Sequence, residues 1–250
     1  MQRYMGHSGC LMEFLAAALD DPHAGPCGVC AGCRREPVLS PEIDPDLANK
    51  AAVFLKRSHQ PLLPRKQWPT GALPTYGFTG RIGDALRMEE GRVLCLWRDA
   101  GWGQLVAAGK YETQRFDDEL VRACVDMIRQ WNPEPAPEWV TCIPSLERPD
   151  LVPEFARRLA TALGLPFRAG LRKVARNKPQ KEMQNSFQQA RNLDDVFSVD
   201  LAAIAGGPCL LVDDVVDSRW TLTVGAALLR HAGCETVLPL ALALNSLRTE

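Results

Sequence analysis

The sequence predicts an α/β protein. A parallel-sheet domain is preceded by a small helical module held by four cysteines and by a short connecting module. Three observations lead there. Strand candidates recur at 139–143, 167–174, 208–212 and 236–244, with helix-periodic segments between them. One run, Cys209 to Val212, feeds two adjacent carboxylates, a short polar loop and an amphipathic helix stopped by Gly233. Cys10, Cys27, Cys30 and Cys33 gather near the start, the last three separated by two residues each. The expected domains are 1–37, 38–102 and 103–250.

In chain order, Cys10 opens a short helix to Leu19, with Leu11, Phe14, Leu15, Ala18 and Leu19 on its apolar side. Gly28 and Gly32 allow tight turns around the sulfurs, and four thiolates suit a tetrahedral structural zinc site. An iron–sulfur cluster is the rival for Cys-x-x-Cys-x-x-Cys, but the Cys-Pro that often follows is missing. His7 and His23 read as bystanders. Pro37, Pro41 and Pro45 mark a connector. A helix from Asp46 to Lys56 follows, capped by Asp44 or Asp46, with Leu47, Ala51, Phe54 and Leu55 inward. Residues 57–79 read as an extended, proline-rich loop. Within it, Arg65, Lys66 and Trp68 could grip a nucleic-acid backbone and stack a base, although a Trp folded onto the core is the commoner outcome. Arg92 to Trp97 is a strand. From about 101 come helices at 103–110 and 116–131, the strand Trp139 to Ile143, and a helix from Leu151 to Leu163 stopped by Gly164. The remaining strands are 167–174, 208–212 and 236–244, and right-handed crossovers are expected between them.

The 209–221 segment carries the chemistry. A strand ending in acids and a loop that feeds a helix is a ligand site in an open α/β sheet. The helix N-terminus offers amides to a phosphate, and Asp213 and Asp214 can hold sugar hydroxyls or a metal ion.

Composition narrows the field. Charge is nearly balanced at −1 over 250 residues, so no global field toward polyanions is implied. A local positive stripe comprises Arg168, Arg172, Lys173, Arg176, Lys178 and Lys181. It reads either as a solvated surface or as a contact for pyrophosphate or DNA phosphate. No apolar run is long enough for a membrane span and no signal peptide is visible. Cys95, Cys124, Cys142, Cys209 and Cys234 are scattered, which fits a reducing cytoplasm better than a disulfide framework. No Gly-x-x-x-x-Gly-Lys-Ser/Thr loop occurs, since Gly109-Lys110 runs into Tyr111 without the earlier glycine. The chain is therefore not a nucleotide-driven motor by itself.

The cysteines in their setting of Arg3, Tyr4, Met5, Leu11, Met12, Leu15, Leu19, Asp20, Asp21 and Gly28 resemble the zinc-binding module of RecQ-family DNA helicases. The resemblance covers about the first 35 residues. It implies that Cys10, Cys27, Cys30 and Cys33 hold zinc and that the module aids DNA binding. It also implies upstream motor lobes in a longer ATP-dependent parent protein active in DNA repair, and Gln2 to Gly9 reads as the middle of a domain. A winged-helix-like module follows zinc in that family, and 38–102 is long enough for one, although neither wing nor recognition helix is evident.

The 209–221 pattern resembles the fingerprint of type I phosphoribosyltransferases, and 103–245 resembles their competence-protein-F-like branch. That resemblance places Asp213 and Asp214 on the ribose hydroxyls of phosphoribosyl pyrophosphate. It places Asp217, Ser218, Arg219, Trp220 and Thr221 on the 5′-phosphate, with Asp217 at the position of a proposed general base. Ile143, Pro144, Ser145 and Arg148 fall in the pyrophosphate loop, and Arg172 to Lys181 in a hood over the site. Arg191, Asn192 and Phe197 are further similar pieces. Magnesium is implied only with bound phosphoribosyl pyrophosphate. Arg219 departs from the family's usual Gly, and members of this branch often have no established substrate. The combined expectation is a helicase accessory region with a ligand-sensing or docking domain. The alternative is an active transferase joining ribose 5-phosphate to a base.

Overall fold

The structure is a computed structural model that describes residues 2–38, 42–178 and 183–245. Pro41 of the connector and Pro179, Gln180 and Lys181 of the basic stretch lie outside the described residues. The chain folds as two units, Met1–Ala51 and Ala52–Glu250.

The first unit contains helices α1 (Gln2–Met5), α2 (Leu11–Ala18) and α3 (Ala31–Arg34), and the start of α4 (Pro45–Arg57). Cys10 is its one buried side chain among the described residues. The expected apolar side of α2 is not a core face: Leu15 is exposed and Leu19 is 80% exposed. A unit of this size without an apolar core needs another source of cohesion, and the sulfur cluster is the candidate. Asp44 caps α4 as expected, its Oδ1 accepting from the Asp46 amide at 2.8 Å. Leu47 and Phe54, expected inward, are instead 65% and 70% exposed.

The second unit is built on a five-stranded sheet. Its strands are β1 (Gln60–Leu62), β2 (Gly91–Leu96), β3 (Trp139–Cys142), β6 (Cys209–Val216) and β7 (Val237–Leu244). The order is β1-β2-β7-β6-β3, parallel except where β1 pairs antiparallel with β2. This corrects the expected connecting module at 38–102. Both of its strands belong to the same sheet as the later ones. Val93, Leu94 and Cys95 are buried consecutively, so β2 is covered on both faces, as in a parallel sheet with packed layers on each side.

A second correction concerns 167–174. Phe167 bridges Val140 in parallel, but the chain then leaves the sheet. β4 (Leu171–Lys173) pairs antiparallel with β5 (Phe197–Val199) in a separate two-stranded sheet. Arg172 and Lys173 explain this, since an inner strand would have to bury both charges.

One face of the main sheet is covered by α5 (Gly103–Tyr111), α6 (Asp118–Trp131) and α7 (Leu151–Leu163), with Leu210, Val212, Phe155 and Leu120 in the core between. The other face carries α9 (Trp220–His231), α8 (Ser186–Arg191) and the 63–90 loop, around Leu211, Trp220, Trp68 and Phe78. Trp68 is 2% exposed and stacks on Phe78 at 4.9 Å and Trp220 at 6.0 Å. It is therefore a core residue and cannot stack a base.

Candidate functional site

Strand β6 runs further than the sequence suggests. Its ladder with β7 continues past Val212 through Asp213 and Val215 to Val216, because β7 offers partners as far as Leu244. Asp213 and Asp214 thus sit within the strand near its carboxyl end, on rigid backbone. Alternation along β6 sends Asp214 the way of Leu210 and Val212, toward the face that carries α5. There Lys110 Nζ meets Asp214 Oδ2 at 2.7 Å. Asp213 is buried, and its Oδ1 accepts from the Asp214 amide at 2.8 Å. Burial, then the neighbouring Asp214 charge, pushes the Asp213 carboxyl up to about 8.

The acids line a cavity of about 160 Å³ together with Lys110, Ile143, Pro144, Ser145, Glu147 and Arg148. All four residues expected in the pyrophosphate loop are thus brought beside the acid pair. Arg148 is positioned by its neighbours. Its amide donates to Ser145 Oγ at 3.3 Å, its Nε donates to Gln114 Oε1 at 3.1 Å, and its guanidinium lies 5.3 Å from the Tyr111 ring centre.

A smaller cavity of about 50 Å³ is lined by Asp213, Asp217, Ser218, Arg219 and Thr221 at the start of α9. First-turn amides of a helix have no intrahelical acceptor, so this end suits an anion. Trp220, expected in the loop, is instead the first residue of α9 and is buried in the core. Arg219 has φ 67° and ψ −6°, the left-handed conformation that glycine adopts without cost. The backbone therefore keeps the shape of a Gly-containing loop although the side chain differs. The Arg219 guanidinium donates to the Leu63 carbonyl at 3.3 Å.

Arg65 has a different place from the one expected in a DNA grip. Its Nε and one terminal nitrogen both donate to the Ser218 carbonyl, at 2.9 and 2.8 Å, and its guanidinium lies 4.1 Å from the Trp220 ring centre. It braces the 217–221 loop. Lys66 beside it is exposed. The basic stripe also divides. Arg172 pairs with Asp200, whereas Arg176 and Lys178 are exposed. Lys173 is half-buried. Burial lowers its pKa, and the charges of Glu147 and Asp213 act in the opposite sense. Sequence reasoning missed Lys110 and Glu147. The only signal was Lys110 ending a helix, which does not reveal what the helix faces.

In the first unit the sulfurs of Cys10, Cys27, Cys30 and Cys33 all lie within 4.8 Å of one another. Four thiolates about 2.3 Å from a tetrahedral ion would stand about 3.8 Å apart, and Cys30 and Cys10 are 3.8 Å apart. Cys10 is the N-cap of α2. Its Sγ accepts from the Glu13 amide at 3.4 Å and the Cys27 amide at 3.2 Å, and these bonds favour the thiolate. The Cys33 and Leu11 amides bring Cys30 down to about 6. Gly28 has φ +73°, and a Cβ on Gly32 would meet the Gly9 carbonyl oxygen at 1.9 Å. Both glycines are required by the knuckle, which fits a metal ion.

The family model for the phosphoribosyl transferase domain matches residues 153–246, which take in β6, the 217–221 loop, α9 and β7. Residues 153–246 of the second unit are thus similar to a phosphoribosyl transferase domain. Among solved structures, an adenine phosphoribosyltransferase is 16% identical, covering 78% of this chain and 89% of its own at a TM-score of 0.38. The Leishmania donovani enzyme is 16% identical, with 77% and 79% covered and a TM-score of 0.37. The Leishmania tarentolae enzyme is 18% identical, with 51% and 69% covered and a TM-score of 0.35. Similarities this distant carry no weight of their own. No curated protein matches the chain. Among the described residues no helix is long and apolar enough to cross a membrane.

Phosphoribosyltransferases commonly use magnesium, which takes oxygen ligands from carboxylates, waters and substrate phosphates. Here Asp214 is already ion-paired with Lys110, and Asp213 keeps its proton at neutral pH. The donor set as folded does not fit a resident magnesium ion.

Proposed function

We propose that the second unit binds a phosphoribosyl ligand of the phosphoribosyl pyrophosphate class and serves as the ligand-sensing part of a RecQ-like helicase accessory region. One observation carries the reading. The 143–148 loop, Lys110 and the acid pair line one cavity, beside a second cavity at the helix start that suits a 5′-phosphate. In this reading Asp213 and Asp214 take the ribose hydroxyls, and the amides of 217–221 take the 5′-phosphate. Ser145 and Arg148 take the pyrophosphate. The left-handed Arg219 supports this, since its side chain reaches the Leu63 carbonyl while the loop keeps its shape. Calorimetric titration with phosphoribosyl pyrophosphate, with and without magnesium, tests it; absence of heat under both conditions refutes it.

In the first unit, Cys10, Cys27, Cys30 and Cys33 hold one structural zinc, as their spacing and amide bonds support. The DNA role belongs to this module and to Arg176 and Lys178. It is tested by fluorescence anisotropy with a labelled duplex across a salt series.

Catalysis is a second reading, favoured by Asp217 lining the same small cavity as Asp213. Asp217 would then be the general base as a base displaces pyrophosphate from the ribose carbon. Pyrophosphate release with a panel of purine and pyrimidine bases tests it, and no release with any base leaves the sensing role alone.

A further inference from the structure

The acid pair already has its cations. The Lys110 ammonium and the Asp214 carboxylate meet at 2.7 Å with side-chain exposures of only 17% and 14%. A contact this far from solvent is little screened by salt. The position of Lys110 is set by the packing of α5. A Cβ on the preceding Gly109 would come within 2.7 Å of Phe116 Cδ1 and 3.0 Å of the Arg115 carbonyl oxygen, so the helix lies hard against the 115–116 segment. Lys173, on β4, is half-buried within electrostatic reach of Asp213 and Glu147. Two ammonium groups from separate elements thus flank the acid pair, and that of Lys110 is in direct contact with Asp214.

An ionised Asp214 facing the cleft alone would need a cation delivered with the ligand. Here the fold supplies it. We infer that this site binds phosphoribosyl pyrophosphate without a divalent cation, because the ammonium of Lys110, fixed on α5 against Asp214, provides the positive charge that magnesium would otherwise bring to the acid pair. The inference rests on the phosphoribosyl reading of the cleft given above. A sensor of this kind would report the sugar phosphate independently of magnesium level.

The test is calorimetry on the whole chain, with phosphoribosyl pyrophosphate titrated in EDTA and again in magnesium chloride. The affinity in EDTA is expected to lie within about threefold of that in magnesium. Lys110→Met is expected to lose about tenfold or more in EDTA and to regain much of it in magnesium, while Lys110→Arg stays near the parent. Thermal melts of the variants show that they are folded, and Lys110→Arg, which keeps the charge, provides a second readout if the Met variant unfolds. Binding by the parent only with magnesium overturns this inference and leaves the phosphoribosyl reading standing. Parent-like binding by Lys110→Met in EDTA also overturns it. No heat under either condition overturns both together.

Discussion

Replacing Arg219 by Gly and, separately, by Ala isolates what its backbone conformation costs. Arg219 sits at φ 67°, where a side chain with a Cβ pays about 1–2 kcal/mol. Both variants lose the 3.3 Å bond to the Leu63 carbonyl, so that contribution cancels between them. Ala keeps the left-handed strain. Gly relieves it but gains conformational freedom in the unfolded chain, which offsets about 0.4–1 kcal/mol. The Gly variant should therefore be more stable than the Ala variant by about 0.5–1 kcal/mol, or about 1–4 °C in Tm for a chain of this size. Differential scanning calorimetry of the two variants side by side reads the difference. A Gly variant no more stable than the Ala variant would refute the strain argument and, with it, the claim that the loop retains a glycine-shaped backbone. The same pair reports on the ligand. Phosphoribosyl pyrophosphate should bind Arg219→Gly at least as well as the parent, and loss of binding would mean that the guanidinium is itself the phosphate ligand.

Three further outcomes are expected. Elemental analysis should find one zinc per chain, and Cys27→Ser with Cys30→Ser should remove it and unfold the first unit, seen as lost protection in hydrogen exchange; iron in place of zinc would contradict the assignment. Because the folded chain raises Asp213 to about 8, it holds a proton that the unfolded chain releases near pH 4. Stability should therefore fall as pH rises across that window, and Asp213→Asn should flatten the dependence of the urea midpoint; a parent midpoint that rises toward pH 8 would refute the buried acid. Trp68→Ala should cost about 3–5 kcal/mol by chemical denaturation, as for any buried Trp, while the salt-dependent DNA affinity of the folded protein stays unchanged; a selective loss of DNA affinity would show Trp68 to be a binding residue.

Much of the fold was legible because its signals are local. The helix 151–163 shows its apolar repeat and its terminating Gly164, and the structure has it at Leu151–Leu163. The cysteine knuckle shows its ligands and both required glycines within 24 residues, from Cys10 to Cys33. The acid pair and the loop after it are contiguous, so their grouping is written in the chain. What local signals could not reveal is pairing. Whether β6 stops at Val212 or continues through the acids depends on β7, and nothing in 209–216 records how far that partner extends. The departure of β4 from the main sheet depends on Arg172 and Lys173 having nowhere to be buried there. As a tetrapeptide, 65–68 reads either as a nucleic-acid grip or, more commonly, as a turn with its Trp folded onto the core. Only the packing of the 63–90 loop against α9 brought Trp68 into the core and Arg65 onto the Ser218 carbonyl, 153 residues away. The α/β class, the sulfur cluster and the acidic strand are each legible in the chain, because each follows from periodicity or spacing within one segment. Only the tertiary structure decided that Lys110 faces Asp214, because an ion pair between distant elements requires both to be oriented by cores that neither segment contains alone.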